Sequence, residues 1–329
     1  MVNRKYYYSK LSPALRHVLD QIVAKLKAYV STIKIINTEV TVEQIADLFE
    51  VIDKDFPELF YLDIKRKPVE IASLGFVKIV KVSFVYCQTE IERIQAEIDN
   101  VLSHVLTKGL KYEPISERAR VLHDFLIQNV TYHYNSHDPS DYSIVGPFLY
   151  GKAICEGYSK AYKYLCEFAD MNCLIVSGKA RNERSGQIEN HAWNILYIGE
   201  GNYAHIDVTW NCNVAFVIMG TYPYYIISDE KISKDHFWKR SQTPCCVGRT
   251  DMTIPVIRSA NELADYLQEK LMSGVTKIIF EVEKDFESTS ELLELIQKII
   301  LKRSFSCVKS VQVSYIRVNH RVQCEFEVN

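Results

Sequence analysis

Apolar residues near the start of the chain recur at three- and four-residue intervals: Leu15, Val18, Leu19, Ile22, Val23 and Leu26. Ser12 ahead of Pro13 supplies a capping hydroxyl and a proline at the first helical position, so the pattern predicts a helix within residues 1–30. A shorter helix is predicted over Val40–Ile52, opened by Thr41, and Pro57–Leu62 is expected to lead out of it into a strand. Phe76–Tyr86 alternates as a strand, and Thr89–Leu106 places Ile91, Ile94, Ile98, Val101, Leu102 and Val105 on one helical face.

The middle of the chain repeats this mixture. Ser116–Val130 predicts a helix, Thr131–Tyr134 a short aromatic strand, and Asn135–Tyr150 a loop. Cys155–Ala169 has Tyr158, Ala161, Tyr162, Leu165 and Phe168 at helical spacing, and Cys173–Val176 reads as a strand. Arg181–Glu189 is a polar loop. Ala192–Ile198 and Tyr203–Trp210 are alternating segments around Gly199-Glu200-Gly201, a hairpin signal. A three-residue loop would set Ile198 opposite Asn202 and His191 opposite Thr209. Asp207 would then share the face of His191, whereas a two-residue loop would put the two on opposite faces. Gly201 can take the left-handed position that the longer loop needs.

From about Pro255 the order changes to strand (Pro255–Arg258), helix (Ala260–Met272), strand (Thr276–Val282), helix (Ser288–Leu301) and an antiparallel pair (Cys307–Val318, Arg321–Val328). The fold class is therefore α+β. Three regions are expected: an N-terminal α+β segment (1–112), a central core (113–250) and a small C-terminal α+β domain (251–329). No repeat or low-complexity tract interrupts them.

Composition narrows the function. A net charge of −2 gives no electrostatic case for nucleic acid or an anionic membrane. Residues 1–6 have no apolar stretch behind them and no segment reaches the ~20 apolar residues of a membrane span, so a cytoplasmic protein is expected. Nine cysteines occur without a CxxC pair or a framework, which suits free thiols in a reducing compartment. Cys87, Cys166, Cys173, Cys307 and Cys324 sit in apolar or periodic stretches and are expected to be buried. No spacing calls for a metal ion or cofactor.

One group of residues carries chemistry. Cys155 stands at a strand-to-helix junction in Gly151-Lys152-Ala153-Ile154-Cys155-Glu156-Gly157-Tyr158, with His191 following in Asn190-His191-Ala192-Trp193 and Asp207 in Asp207-Val208-Thr209-Trp210. A thiol at a helix start lies in the positive end of the helix dipole, an imidazole can take its proton, and a carboxylate can orient the imidazole. Gly157 is a poor helix former and signals close packing or substrate approach. A carboxylate between Ile206 and Val208 is costly unless paired, and His191 is its expected partner. His205 lies on the same face and is the rival base. Trp193, Trp210 and Tyr134 are the aromatics expected at the substrate.

These three blocks resemble the core of the transglutaminase-like superfamily, in particular its bacterial and archaeal branch, over roughly residues 115–215. The resemblance implies a papain-like core: a helix carrying the cysteine, packed on an antiparallel sheet carrying His and Asp. It also implies Cys155 as nucleophile, His191 as base and acid, and Asp207 as its orienter. Members of the superfamily act on amide bonds as proteases, transglutaminases or peptide N-glycanases, and some have lost activity. Neither an acidic calcium-binding run nor a paired CxxC zinc site is present, so hydrolysis of a peptide or isopeptide bond is favoured. Transfer to an amine, or a protein-binding module that keeps the fold, are the alternatives. A protein or peptide substrate is expected, and the terminal units could recruit a protein partner. Tyr132, Tyr134 and Tyr150 are candidates for a second oxyanion donor.

Overall fold

The computed structural model describes residues 5–36, 39–106, 115–181, 186–212, 222–248, 256–272, 277–282, 289–302, 308–316 and 321–328. They fall into two compact units, Met1–Arg249 and Thr250–Asn329.

In the first unit the main helices are Pro13–Lys27, Val42–Asp55, Gln88–Val105, Ile115–Asn129 and Cys155–Phe168. Ser12 caps the first of these, and Thr41 forms a capping box with Gln44 at the second. Residues before 106 and after 115 contribute to one continuous apolar core, which includes Leu19, Ile45 and Ile98 from the former and Leu122, Tyr158, Tyr162 and Leu196 from the latter. No helix among the described residues is long and apolar enough to cross a membrane.

Two sheets flank this core. The N-terminal sheet pairs Thr32–Ile36 and Glu70–Leu74 with Val77–Lys81, all antiparallel. The first two strands escape sequence reading, since Glu70–Leu74 is nearly all exposed and shows no apolar alternation. Conversely, Pro57–Leu62 is turns rather than a strand, ending in an isolated antiparallel bridge between Leu62 and Phe84 that lies outside the sheet. Its apolar run exists because Leu59, Phe60 and Tyr61 are buried, and burial alone does not demand strand pairing.

The central sheet has five antiparallel strands in the order His236–Phe237, Cys173–Arg181, Ile188–Gly199, Asn202–Ile206, Tyr225–Ile227. Its hairpin reaches the expected register by an unexpected route. Glu200 and Gly201 both have positive φ (53° and 78°), so the turn is a two-residue type I′ turn with Gly199 opposite Asn202. Alone, that turn would send His191 and Asp207 to opposite faces. The ladder slips by one residue between Tyr197 and Gly199, and beyond this bulge Tyr197 faces Tyr203 and Asn194 faces Ile206. The expected pairing past Ile206 does not form. Asp207 leaves the strand and caps a short helix, Val208–Asn211, by accepting the Trp210 N–H at 3.0 Å.

The second unit has its own core around Leu267, Phe280, Ile296 and Val322. Val256–Ile257 runs parallel to Lys277–Val282, which continues antiparallel through Arg321–Val328 to Val308–Ile316, with helices Ala260–Met272 and Thr289–Lys302.

Gly157 supplies a test of packing at the Cys155 helix. A Cβ there would lie 2.2 Å from the carbonyl oxygen of Asp141, a fixed backbone atom. Helix propensity alone favours Gly157→Ala by ~1 kcal/mol. We expect the reverse, a destabilisation of about 1–3 kcal/mol from overpacking, read as a lower urea midpoint. An unchanged or higher midpoint would show that the helix start has room.

Candidate active site

Cys155 is the first residue of its helix, preceded by Ile154, which offers no capping side chain. The Ile154 side chain therefore takes none of the N-terminal N–H groups, and the helix dipole is directed at the thiol. The approach to the helix is fixed by Lys152-Ala153, which pairs in parallel with Thr131-Tyr132. The helix itself is pinned by buried polar contacts. The Tyr158 hydroxyl donates to the Val130 carbonyl at 2.6 Å, and the Asn194 amide donates to the Ser159 carbonyl at 3.0 Å. Lys160 reaches Asp53 at 2.6 Å, Glu156 at 2.7 Å and the Tyr142 carbonyl at 3.1 Å. Asn194 belongs to the His191 strand, so one side chain ties the thiol helix to the imidazole strand.

His191 Nε2 lies 2.7 Å from Asp207 Oδ2, and Asp207 is fully buried. With Nε2 committed to the carboxylate, Nδ1 is the nitrogen left for Cys155. Burial by itself would lower the pKa of His191. The charge and hydrogen bond of Asp207, and after them contact with Cys155, outweigh it and push the imidazole up to about 10. Burial works against the Asp207 carboxylate too, but His191 and His236 hold it well below the usual carboxylate range. Cys155 is the partly exposed member of the three, with His191 nearly buried behind it.

His236 is the residue that sequence reading missed. It lies on the two-residue edge strand, fully buried, with Nε2 3.1 Å from Asp207 Oδ2 and Nδ1 hydrogen-bonded to Asp235. Only an unusual Asp235-His236 pair beside an aromatic, in Asp235-His236-Phe237-Trp238, could have hinted at it.

The rival base does other work. Trp193 Nε1 donates to His205 Nδ1 at 2.9 Å, and His205 Nε2 faces Asp229 at 2.8 Å. An indole can only donate, so the His205 proton sits on Nε2, directed to Asp229 and away from Asp207. Trp193 is buried and stacks on His191 with ring centroids 5.9 Å apart. Trp210 packs 5.6 Å from His191 and 4.5 Å from His236. Tyr134 is 77% exposed and rests on Tyr132. Of the three candidate oxyanion donors, Tyr132 meets Cys155: burial first and the nearby thiol second raise its phenol, and its oxygen lies within reach of the Cys155 backbone N–H. Tyr150 is 53% exposed. Among the other thiols, Cys166, Cys173 and Cys324 are buried as expected, Cys307 lies outside the described residues, and Cys87 is exposed. Cys87 precedes the Gln88–Val105 helix as its N-cap residue, a position that faces water.

Among the described residues, two clusters bring metal-ligand atoms together: His191, Asp207 and His236, and His205, Asp229 and Cys246. In the first, 2.7 Å between His191 and Asp207 is a hydrogen bond, shorter than the ~3.3 Å between neighbouring ligands 2.0 Å from a tetrahedral zinc. In the second, coordination through His205 Nε2 would move its proton to Nδ1, against the Trp193 N–H. Neither arrangement is that of a metal site.

Residues 103–208 match the model of the transglutaminase-like superfamily. The chain contains a transglutaminase-like core. That matched stretch holds Cys155, His191 and Asp207 but ends before His236. Kyphoscoliosis peptidase of Homo sapiens is 23% identical to the chain over 137 residues, 37% of this chain and 20% of its own length, and the Mus musculus protein gives the same figures. The chain thus spans about a fifth of these curated relatives. A solved TGase superposes over 54% of this chain and 50% of its own, with 11% identity and a TM-score of 0.31. The periplasmic domain of TgpA from Pseudomonas aeruginosa covers 44% and 58%, with 12% identity and a TM-score of 0.26. In the transglutaminase-like core of this chain, the cysteine helix packs on the antiparallel sheet whose strands and hairpin end bring His191 and Asp207 together.

The raised pKa of His191 sets a pH dependence. Its ordinary value is 6.5 and its folded value about 10, so the stability it contributes is complete below about pH 6.5 and is lost as pH rises toward 10. Calorimetric Tm should fall across that window in the wild type. Asp207→Asn removes the main cause and should flatten the fall, and parallel curves for the two proteins would show that the pair does not couple.

Proposed function

We propose that this protein is a thiol-dependent hydrolase of peptide or isopeptide bonds, acting through a Cys155 acyl-enzyme with His191 and Asp207. The observation that carries the reading is a partly exposed thiol at an uncapped helix start, against an imidazole whose far nitrogen is held 2.7 Å from a buried carboxylate.

The steps follow from these positions. His191, its pKa pushed up to about 10, already carries the proton on Nδ1, and Sγ attacks the substrate carbonyl as the thiolate of that pair. The oxygen of the tetrahedral intermediate is held by the Cys155 N–H and by the Tyr132 hydroxyl, which keeps its proton because its pKa is raised. His191 returns the proton to the leaving amine, the C–N bond breaks, and a thioester remains. Water then attacks, giving a proton to His191, and the thioester opens to the acid and the free thiol. Asp207 holds the imidazole tautomer throughout. Trp210 and Tyr134 are assigned to substrate contact. Trp193, buried beneath His191, is assigned to packing that ring. The polar sequence at 135–141 and 182–187 gives no reason for an apolar acceptor channel, so water is the assigned acceptor. The substrate is a protein or peptide, and the unpaired thiols fit a cytoplasmic setting.

Cys155 should be the first of the thiols alkylated by limiting iodoacetamide near pH 6, as site-mapped by mass spectrometry, and Cys155→Ala should abolish turnover of cleaved peptides. Asp207→Asn should keep the fold and lower turnover by on the order of 10⁴. A dansylated amine offered in excess with a glutamine peptide separates water from amine as acceptor. Amine incorporation faster than hydrolysis would reassign the protein as a transferase, and labelling that favours another cysteine would remove the nucleophile.

A further inference from the structure

We propose that His236 is a positioning residue for the Cys155–His191 pair: a fixed imidazolium that locks the Asp207 carboxylate in place and offsets its charge, so that His191 can release its proton. The inference rests on the hydrolase reading for its role and on geometry alone for its charge.

Both ring nitrogens of His236 face carboxylate oxygens, Nε2 that of Asp207 at 3.1 Å and Nδ1 that of Asp235. A neutral imidazole carries one N–H, so one nitrogen would set a lone pair against a carboxylate. Only the imidazolium donates from both. The ring is 1% exposed and walled by Trp210, Trp193 and Tyr224, with centroids 4.5, 5.0 and 5.4 Å away, so water cannot stand in for a missing donor. Asp235 is itself held, since its other oxygen accepts the Tyr224 hydroxyl at 2.7 Å.

The charged and titratable groups around the ring come from every neighbouring element. Asp207 follows the hairpin, Asp235 precedes the ring's own strand, His191 lies 5.4 Å away on its strand, and His205 lies behind Trp193. Arg181, on the paired strand, lies over the adjacent Phe237 at 5.7 Å. The two carboxylates outweigh burial and the like charge of His191, and raise the pKa of His236.

The chemical consequence concerns His191. It must hold a proton during attack and give it up to the amine, which works best when its pKa is near the working pH. A bare buried Asp207 would hold that proton too tightly. A cation on the other side of the same Oδ2 atom reduces the pull and keeps the carboxylate from swinging away.

The test is a ¹⁵N NMR titration of the ring nitrogens in the full chain. In the wild type both His236 nitrogens should show the protonated shift from pH 5 to 8. His236→Gln keeps a donor toward Asp207 but removes the charge, and His191 should then hold its proton to a pH about one unit higher, a tenfold change in affinity. The alkaline limb of the Cys155-dependent rate should move up with it. Asp235→Asn is a second variant that leaves Asp207 untouched, and in it His236 should release its proton at lower pH. A deprotonated His236 nitrogen at pH 7 in the wild type, or an unmoved His191 titration in His236→Gln, overturns the proposal even if Cys155 turns over substrate. Conversely, a shifted titration in a protein without turnover upholds the charge of His236 and removes the hydrolase reading.

Discussion

A carboxylate with no exposed surface, Asp207, is the constraint around which the central sheet is arranged. Leaving such a group unpaired costs several kcal/mol, and its partners must be in place when the chain folds. Three donors meet it: His191 and His236 at Oδ2, and the Trp210 N–H at Oδ1. They come from a long inner strand, a two-residue edge strand and a single helical turn. The sheet order, with His236–Phe237 on one side of Cys173–Arg181 and Ile188–Gly199 on the other, is what lets the two histidines converge on one oxygen.

The thiol enters this arrangement from a different layer. Its helix is held by its own buried contacts, to Val130 through Tyr158 and to Asp53 and Tyr142 through Lys160. Asn194 is the link between helix and strand. A reacting pair built on two separately anchored elements keeps its geometry without relying on a loop, the condition for nucleophile and base to be preorganised. The same anchoring explains Gly157, whose missing Cβ lets the helix approach the Asp141 carbonyl.

The surrounding aromatic shell has an electrostatic consequence. Trp193, Trp210 and Tyr224 exclude water from Asp207 and His236, which strengthens each charge–charge interaction inside. Trp193 also separates a neutral imidazole from two raised ones. His205, its pKa lowered by burial, takes the indole N–H as a neutral ring, while His191 and His236 are raised.

Local chemistry in the sequence determined a good deal. A cysteine at a helix start, the His191 and Asp207 blocks, the main helices with their Ser12 and Thr41 caps, and the glycines of the hairpin depend on residues within a few positions of one another. Periodicity and capping report such short-range preferences. Tertiary structure decided the rest. The two-residue turn would have parted His191 from Asp207, and the bulge at Ile198 restores the pairing, yet no local propensity marks a bulge. Asp207 leaves its strand because an aspartate is a strong cap and a helix turn was available. Thr32–Ile36 alternates, with Ile33 and Ile35 buried, but over only five residues, and Glu70–Leu74 shows no alternation; both are placed by pairing with Val77–Lys81. His236 lies 29 residues beyond Asp207 on a strand of two residues, too short for any period. Its place is set by hydrogen bonds between distant segments, which sequence spacing does not encode.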